Sequence, residues 1–140
     1  MKPALVDGVP FRSKEVSWLS FNQRVLQEAE NPSIPPVERM RYLGIYSSNL
    51  DEFFRVRVAT LKRLCALPSS QIADLQIQIP SPKETLKSVT QILARETVRF
   101  NDAYAAILED LKKNHGIHVI RQTQVPAELQ DFVHRFFTDK

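Results

Sequence analysis

Apolar side chains recur every three to four residues along most of the chain, which is the spacing of one face of an α-helix. In the first such stretch Trp18, Phe21 and Val25 follow this spacing, and an Asn-Pro pair at 31–32 ends it. The pattern predicts a first helix that begins near Ser17. Residues 1–13 contain two prolines and a glycine and are predicted to form an irregular leader.

A second helix is predicted to open at the proline pair 35–36, because proline is tolerated in the first turn of a helix. Its expected buried face carries Val37, Met40 and Leu43. The helical preference weakens at 46–49, and a third helix is predicted from Leu50 to about Cys65. Its apolar stripe has spacings of four, four, three and four: Leu50, Phe54, Val58, Leu61 and Cys65. A kink within one long helix is the alternative to a break.

The clearest helix start follows a connection at 67–80. Ser81 is placed to be the N-cap, Pro82 the first helical residue and Glu84 the acid three residues after the cap. An apolar stripe continues to Asn114, and Gly116 is the expected stop. The predicted helix has roughly 30 residues and a length of about 45–50 Å.

After Gly116 the pattern changes to a short β-like run at 117–120, followed by a very apolar helix from Ala127 to Lys140. We therefore predict an all-α fold, an N-terminal helical bundle with one long helix, followed by the truncated start of an α/β domain. The expected boundaries are a leader at 1–13, a helical domain at 14–115 and the second domain at 116–140. The expected core contains seven apolar residues: Trp18, Leu19, Val25, Leu43, Leu50, Phe54 and Leu61.

Composition supports a helical fold and excludes several classes of protein. The 140 residues are 43% hydrophobic and include three glycines, fewer than a β-rich fold with many tight turns usually needs. The net charge is +3 with the signs interspersed, which disfavours tight nucleic-acid binding. A single cysteine excludes an internal disulfide and a multi-cysteine zinc site. The sequence has neither a secretory signal nor a transmembrane segment, so a cytoplasmic protein is expected.

Residue spacing alone assigns no chemistry. The three histidines lack the spacing of a metal site, and Cys65 lies on an apolar stripe where an inert thiol is usual. Adjacent carboxylates at 51–52 and 109–110 point about 100° apart on a helix, so neither pair converges on one atom. Basic residues crowd the second and third helices. Among them Arg57 is expected to be partly buried and to need an anionic partner, either an internal acid or a phosphate.

Two blocks of sequence resemble the N-terminal signature of the polyphosphate kinase family, the type that phosphorylates one of its own histidines. They are EVSWLSFNQRVLQEA at 15–29 and ERMRYLGIYSSNLDEFFRVR at 38–57. The resemblance is dense from about residue 11 to residue 64, and it returns as a pattern in the long helix.

The resemblance implies an enzyme that transfers the terminal phosphate of ATP reversibly to polyphosphate through a phosphohistidine, with Mg²⁺. The catalytic histidines and metal ligands of the family lie in C-terminal domains that these 140 residues lack, so we predict no catalytic residue and no metal ligand here. The implied partners are ATP or ADP, polyphosphate, the enzyme's own C-terminal domains and a second copy of the full-length protein, but no specific nucleic acid. The second domain would be the family's head domain, which takes part in dimerisation. Peripheral attachment of this cytoplasmic enzyme to a membrane stays open.

One site residue follows from the resemblance. The family's asparagine before Leu-Asp-Glu-Phe contacts adenine, and that residue here is Asn49. A carboxamide offers a donor and an acceptor side by side, which matches N1 and the N6 amine of adenine. The alternative is that Asn49 merely caps the third helix. Two other functions stay open for the whole chain, namely a stand-alone helical adaptor for a protein partner and a weak RNA binder.

Overall fold

The computed structural model describes residues 4–6, 9–68, 71, 81–120 and 125–138. Helices dominate these residues, which confirms the predicted fold class. The elements in chain order are strands β1 (Ala4–Val6) and β2 (Val9–Phe11), helix α1 (Lys14–Glu30), helix α2 (Pro36–Phe53), a π-helical segment (Phe54–Val58), and helices α3 (Ala59–Ala66), α4 (Pro82–His115) and α5 (Ala127–Thr138).

The leader contains a small antiparallel hairpin where irregular chain was expected. Strand β1 pairs with β2, with Val6 opposite Val9 and Ala4 opposite Phe11. The sequence between the two strands is Asp-Gly, a strong signal for a two-residue hairpin connection. The two prolines of the leader disfavour strands, and for this reason the sequence pattern predicts irregular chain here.

Helix α1 begins three residues before the expected start. The Ser13 hydroxyl accepts a hydrogen bond of 3.2 Å from the backbone N–H of Val16, which makes Ser13 the N-cap. The helix ends at Glu30, as the Asn-Pro pair predicted.

The predicted break at 46–49 is wrong, since the chain is helical without interruption from Pro36 to Ala66. The irregularity lies further on, in the π-helical segment. The buried residues of α2 lie at helical spacings of three, four, three and seven from Pro36 to Phe53, and the next buried residue is Val58, five positions later. A π-turn takes up one extra residue, so it returns Val58 to the buried face.

The prediction that Phe54 belongs to the core is also wrong, since Phe53 is 1% exposed and Phe54 is 47% exposed. The prediction assumed an even spacing of four, which does not allow for the extra residue of the π-turn. Val37, expected on a buried face, is exposed. The Phe53 ring stacks on Trp18 with centroids 4.7 Å apart. Around Phe53 a core joins α1, α2, α3 and the first half of α4, and its buried members are Leu19, Phe53, Val58, Leu61 and Val89.

Helix α4 confirms the predicted long helix and both of its ends. The Ser81 hydroxyl accepts from the backbone N–H of Glu84 at 3.4 Å, and the Ser81 carbonyl accepts from that of Thr85 at 2.9 Å. Gly116 follows the last residue with φ of 65°, a conformation that suits glycine at a helix C-terminus. Most of the expected connection at 67–80 lies outside the described residues.

Contacts divide the chain into two units, residues 1–107 and 108–140. The second unit holds the end of α4 and helix α5, whose predicted apolar face is exposed at Phe132, Phe136 and Phe137. Residues 117–120, predicted as a strand, have no regular secondary structure. A single β-like run has no ladder to join unless a second strand pairs with it. The expected domain boundary at 115–116 stays a prediction.

Candidate functional site

Asn49 lies on the side of α2 that faces α1, and its carboxamide is held by a second asparagine. The Asn49 amide nitrogen donates to Oδ1 of Asn22 at 2.9 Å. Asn22 is fully buried, and its own amide nitrogen donates to the backbone carbonyl of Tyr46 at 3.3 Å. Donor and acceptor of Asn22 are therefore both engaged, which fixes its orientation and the position of the Asn49 side chain.

The capping alternative for Asn49 is wrong. An N-cap residue stands at the first turn of a helix with a non-helical backbone, whereas Asn49 lies inside α2, four residues before its last residue. The side chain is half-buried, and the bond to Asn22 takes one of its two amide hydrogens. Its other hydrogen and Oδ1 have no partner within the described ranges and can meet a ligand.

Tyr46 connects this pair to a buried carboxyl group on α4. Its hydroxyl donates to Oε2 of Glu96 at 2.7 Å, and its ring lies 5.7 Å from that of Phe100. Glu96 is 1% exposed, and no described residue gives its Oε1 a hydrogen-bond partner. Burial raises the pKa of Glu96, although the bond from Tyr46 and the charges of Arg99 and Arg95 act in the opposite direction. Burial and the bond to Glu96 also raise the pKa of Tyr46.

One turn along α4 from Glu96, an ion pair ties α4 to the end of α1. Arg99 donates from Nε and Nη2 to the two carboxylate oxygens of Glu30, at 2.8 and 2.5 Å. This bidentate geometry is the strong form of a guanidinium–carboxylate contact.

A cavity of about 360 Å³ opens beside this ion pair, between α1 and the middle of α4. Three arginines contribute to its wall together with Glu96. The lining residues are Arg12, Val16, Ser20, Gln23, Ile92, Arg95, Glu96 and Arg99.

Four of the six basic residues of the second and third predicted helices are exposed, namely Arg41, Arg55, Lys62 and Arg63. Arg39 is the buried one, and its Nε donates to the Ala29 carbonyl at 2.8 Å in the last turn of α1. Arg41 pairs with Glu38 at 2.7 Å. Arg57, expected to be partly buried, is half-buried in the π-helical segment. The RNA-binding alternative, which relied on these side chains, stays open.

The described residues contain no group of three or more His, Cys, Asp or Glu side chains placed to hold a metal ion. His115 ends α4 with Nε2 4.0 Å from Asp110, and Cys65 is half-buried in α3. Among the helices that the structure describes, none combines the length and the apolar character needed to cross a membrane.

Sequence reasoning proposed Asn49 as a site residue but missed the side chains that position it. Asn22 and Tyr46 both lie within the two resemblance blocks. Their place in these blocks was a sequence signal that could have marked them as site residues. Glu96 had another signal, because it follows Val89 and Leu93 at helical spacing and precedes Phe100. An acid on the apolar stripe of a helix is rarely buried without a partner.

Comparison with known proteins agrees with the resemblance. The family model described as the polyphosphate kinase N-terminal domain matches residues 11–120. This chain belongs to that family. The polyphosphate kinase of Yersinia pestis is 37% identical over 127 residues, which cover 91% of this chain and 18% of the relative. The polyphosphate kinases of Escherichia coli K12 and Vibrio vulnificus YJ016 are 38% and 35% identical over 124 residues, covering 89% of this chain and 17% of each relative.

The chain thus spans less than a fifth of the length of these polyphosphate kinases. A search of the solved structures finds no match. The region that matches the polyphosphate kinase N-terminal domain contains Asn22, Tyr46, Asn49, Glu96 and Arg99.

Proposed function

We propose that this chain is the nucleotide-contacting N-terminal part of a polyphosphate kinase, which moves the terminal phosphate of ATP to polyphosphate. The observation that carries the proposal is the family match over residues 11–120, together with 35–38% identity to proteins named polyphosphate kinase. In the same proposal this chain contributes to packing between domains and in a dimer of the full-length protein, whereas phosphohistidine formation and the magnesium site are assigned to C-terminal domains. We assign no catalytic residue and no metal ligand to the chain, and a cytoplasmic location is part of the same proposal.

Within this function we propose that Asn49 contacts the adenine base. Its carboxamide is half-buried, and a fully buried residue positions it, so little conformational freedom is lost on binding. A free N–H beside Oδ1 matches the acceptor N1 and the donor N6 of adenine. Guanine presents a donor at N1 and an oxygen at C6, so the same carboxamide would have to turn over to bind it. The bond to Asn22 opposes that rotation.

The activity is tested on the product of the gene that contains this chain. The purified protein, supplied with ATP, magnesium and a polyphosphate primer, should lengthen polyphosphate and carry label from γ-³²P-ATP on a histidine. The 140-residue chain alone should do neither. A labelled histidine at position 115, 118 or 134 of the isolated chain would contradict this division of labour, and a gene product without any polyphosphate synthesis would contradict the function.

A further inference from the structure

The cavity beside the Arg99–Glu30 ion pair has the size of a small-molecule site and a mostly polar lining. Its volume of about 360 Å³ lies within the range of about 300–1,000 Å³ that is usual for small-molecule pockets. Arg12 enters from the segment before α1, where its Nη1 donates to the Ser20 hydroxyl at 3.1 Å. Arg95 and Arg99 are four residues apart on α4, so their Cβ atoms lie roughly 5–6 Å from each other on one face.

The charges around this cavity favour an anion. Glu30 balances the charge of Arg99, but Arg12 and Arg95 add two further guanidinium groups, and both residues are exposed. Gln23 supplies a neutral polar group on the α1 side, whereas the Ser20 hydroxyl already donates to the Val16 carbonyl at 3.0 Å. Guanidinium groups bind the oxygens of phosphate through short, charge-assisted hydrogen bonds.

Glu96 is the acidic member of the wall, and burial makes its neutral form more favourable than it is for an exposed carboxyl group. Tyr46 occupies Oε2, which leaves Oε1 as a buried atom without a hydrogen-bond partner in the described part of the chain. A buried group in this state usually has a partner that is not part of the chain, such as water or a ligand. A protonated Glu96 would be a donor rather than a source of repulsion for an anion.

We propose that this cavity is a phosphate-binding site, separate from Asn49, in which Arg12, Arg95 and Arg99 hold consecutive phosphate groups of a condensed phosphate chain. The basic lining supports an oxyanion of the phosphate class by itself. The choice of polyphosphate among such anions rests on the function proposed above. An elongated anion with a charge on every phosphate can contact several guanidinium groups of the cavity wall at once, which a single orthophosphate does less well.

The test uses the 140-residue chain and inorganic tripolyphosphate, with binding followed by calorimetry and by amide chemical shifts. Tripolyphosphate should bind and shift the amides of Ser20 and Gln23. Arg95→Ala and Arg12→Ala should each weaken binding by about tenfold or more, the usual effect of losing one charge-assisted hydrogen bond. The matched control Arg63→Ala removes an exposed arginine of α3 and should change affinity less than about twofold. Thermal melts confirm that each variant is folded.

Two further measurements separate the possible ligands, and a third tests the role of Glu96. Orthophosphate at the same concentration should bind at least about tenfold more weakly than tripolyphosphate, because it reaches fewer of the arginines. ATP should shift the Asn49 side-chain amide, whereas tripolyphosphate should not, so the two proposals can fail independently. Glu96→Gln keeps an acceptor for Tyr46 and removes the acidic group, and it should bind tripolyphosphate at least as tightly as the original chain.

Three results would overturn the proposal. One is the absence of tripolyphosphate binding at millimolar concentration. Another is an equal loss of affinity in Arg95→Ala and Arg63→Ala, which would mean diffuse attraction to a basic surface. The third is chemical-shift changes that lie only outside the cavity wall.

Discussion

The side-chain amide of Asn49 lies 2.9 Å from Oδ1 of Asn22, a residue with no exposed surface. This contact links a structural residue to the residue proposed to contact adenine. It also means that Asn49→Asp is not a neutral substitution, because a carboxylate at 49 would face the Asn22 oxygen with no hydrogen to donate. Alanine substitutions at 22 and 49 break the same bond and can be compared directly.

The first prediction concerns Asn22. Asn22→Ala should lower the free energy of unfolding by about 1–3 kcal/mol, because it removes a buried side chain whose donor and acceptor are both engaged. Asn49→Ala should lower it less, since Asn49 is only half-buried. Urea denaturation of the two variants measures both values, and a larger loss for Asn49→Ala would contradict the assigned roles.

The second prediction compares two adjacent phenylalanines. Phe53→Ala should destabilise the chain by about 3–5 kcal/mol, because Phe53 is buried in the core and stacks on Trp18. Phe54→Ala should have an effect below about 1 kcal/mol, because nearly half of its surface is exposed. Thermal melts of the two variants test the register that the π-helical segment sets, and equal losses would mean that this register is wrong.

The third prediction follows from the raised pKa of Glu96. The unfolded chain releases this proton as the pH rises past the ordinary value of 4.5, whereas the folded chain retains it to a higher pH. The free energy of unfolding therefore falls as the pH rises from 4.5 to the raised pKa, and it stays lower above that pKa. Glu96→Gln lacks this group, so its stability relative to the original chain should be greater at pH 7 than at pH 4.

Denaturation curves at both pH values measure this difference. Glu52→Gln, which changes an exposed carboxylate of α2, is the matched control and should show little change in relative stability. If Glu96→Gln shows no greater change than Glu52→Gln, then burial does not raise the pKa of Glu96.

The fourth prediction concerns the ion pair between α1 and α4. Arg99 and Glu30 are each 31% exposed, so solvent weakens their attraction, and a double-mutant cycle with Arg99→Ala and Glu30→Ala should give a coupling energy of about 0.5–1 kcal/mol. Arg99→Lys should lose part of this energy, since lysine cannot form the bidentate contact. A coupling energy of zero would mean that the ion pair does not stabilise the packing of α4 on α1.

Sequence alone could predict the elements whose signals are local. The start of α4 at Ser81-Pro82 and its stop at Gly116 follow from capping chemistry, and the structure confirms both. The π-helical segment could not be predicted in this way, because an even spacing through Phe54 fits the sequence as well as the true spacing through Phe53. The packing of Leu19 and Val89 around Phe53 decides between the two, and this packing brings together residues far apart in the chain.

The candidate site shows the same limit. Asn49 followed from the resemblance, but its bond to Asn22 joins residues 27 positions apart and the Tyr46–Glu96 bond spans 50 positions. Local patterns carry no information on such pairs. They could show only that Glu96 interrupts an apolar stripe, and the three arginines of the cavity came together only in the folded chain.

The most direct test of the proposed role of Asn49 is base discrimination by the full-length gene product. The measurement is kcat/KM for ATP and for GTP in the original protein, Asn49→Ala and Asn22→Ala. If Asn49 contacts adenine, Asn49→Ala should lower kcat/KM for ATP by about ten- to a hundredfold and leave the value for GTP nearly unchanged. Asn22→Ala should have a smaller effect on this ratio, because it loosens Asn49 without removing it. An unchanged ATP-to-GTP ratio in Asn49→Ala would contradict the account and reduce Asn49 to a structural partner of Asn22.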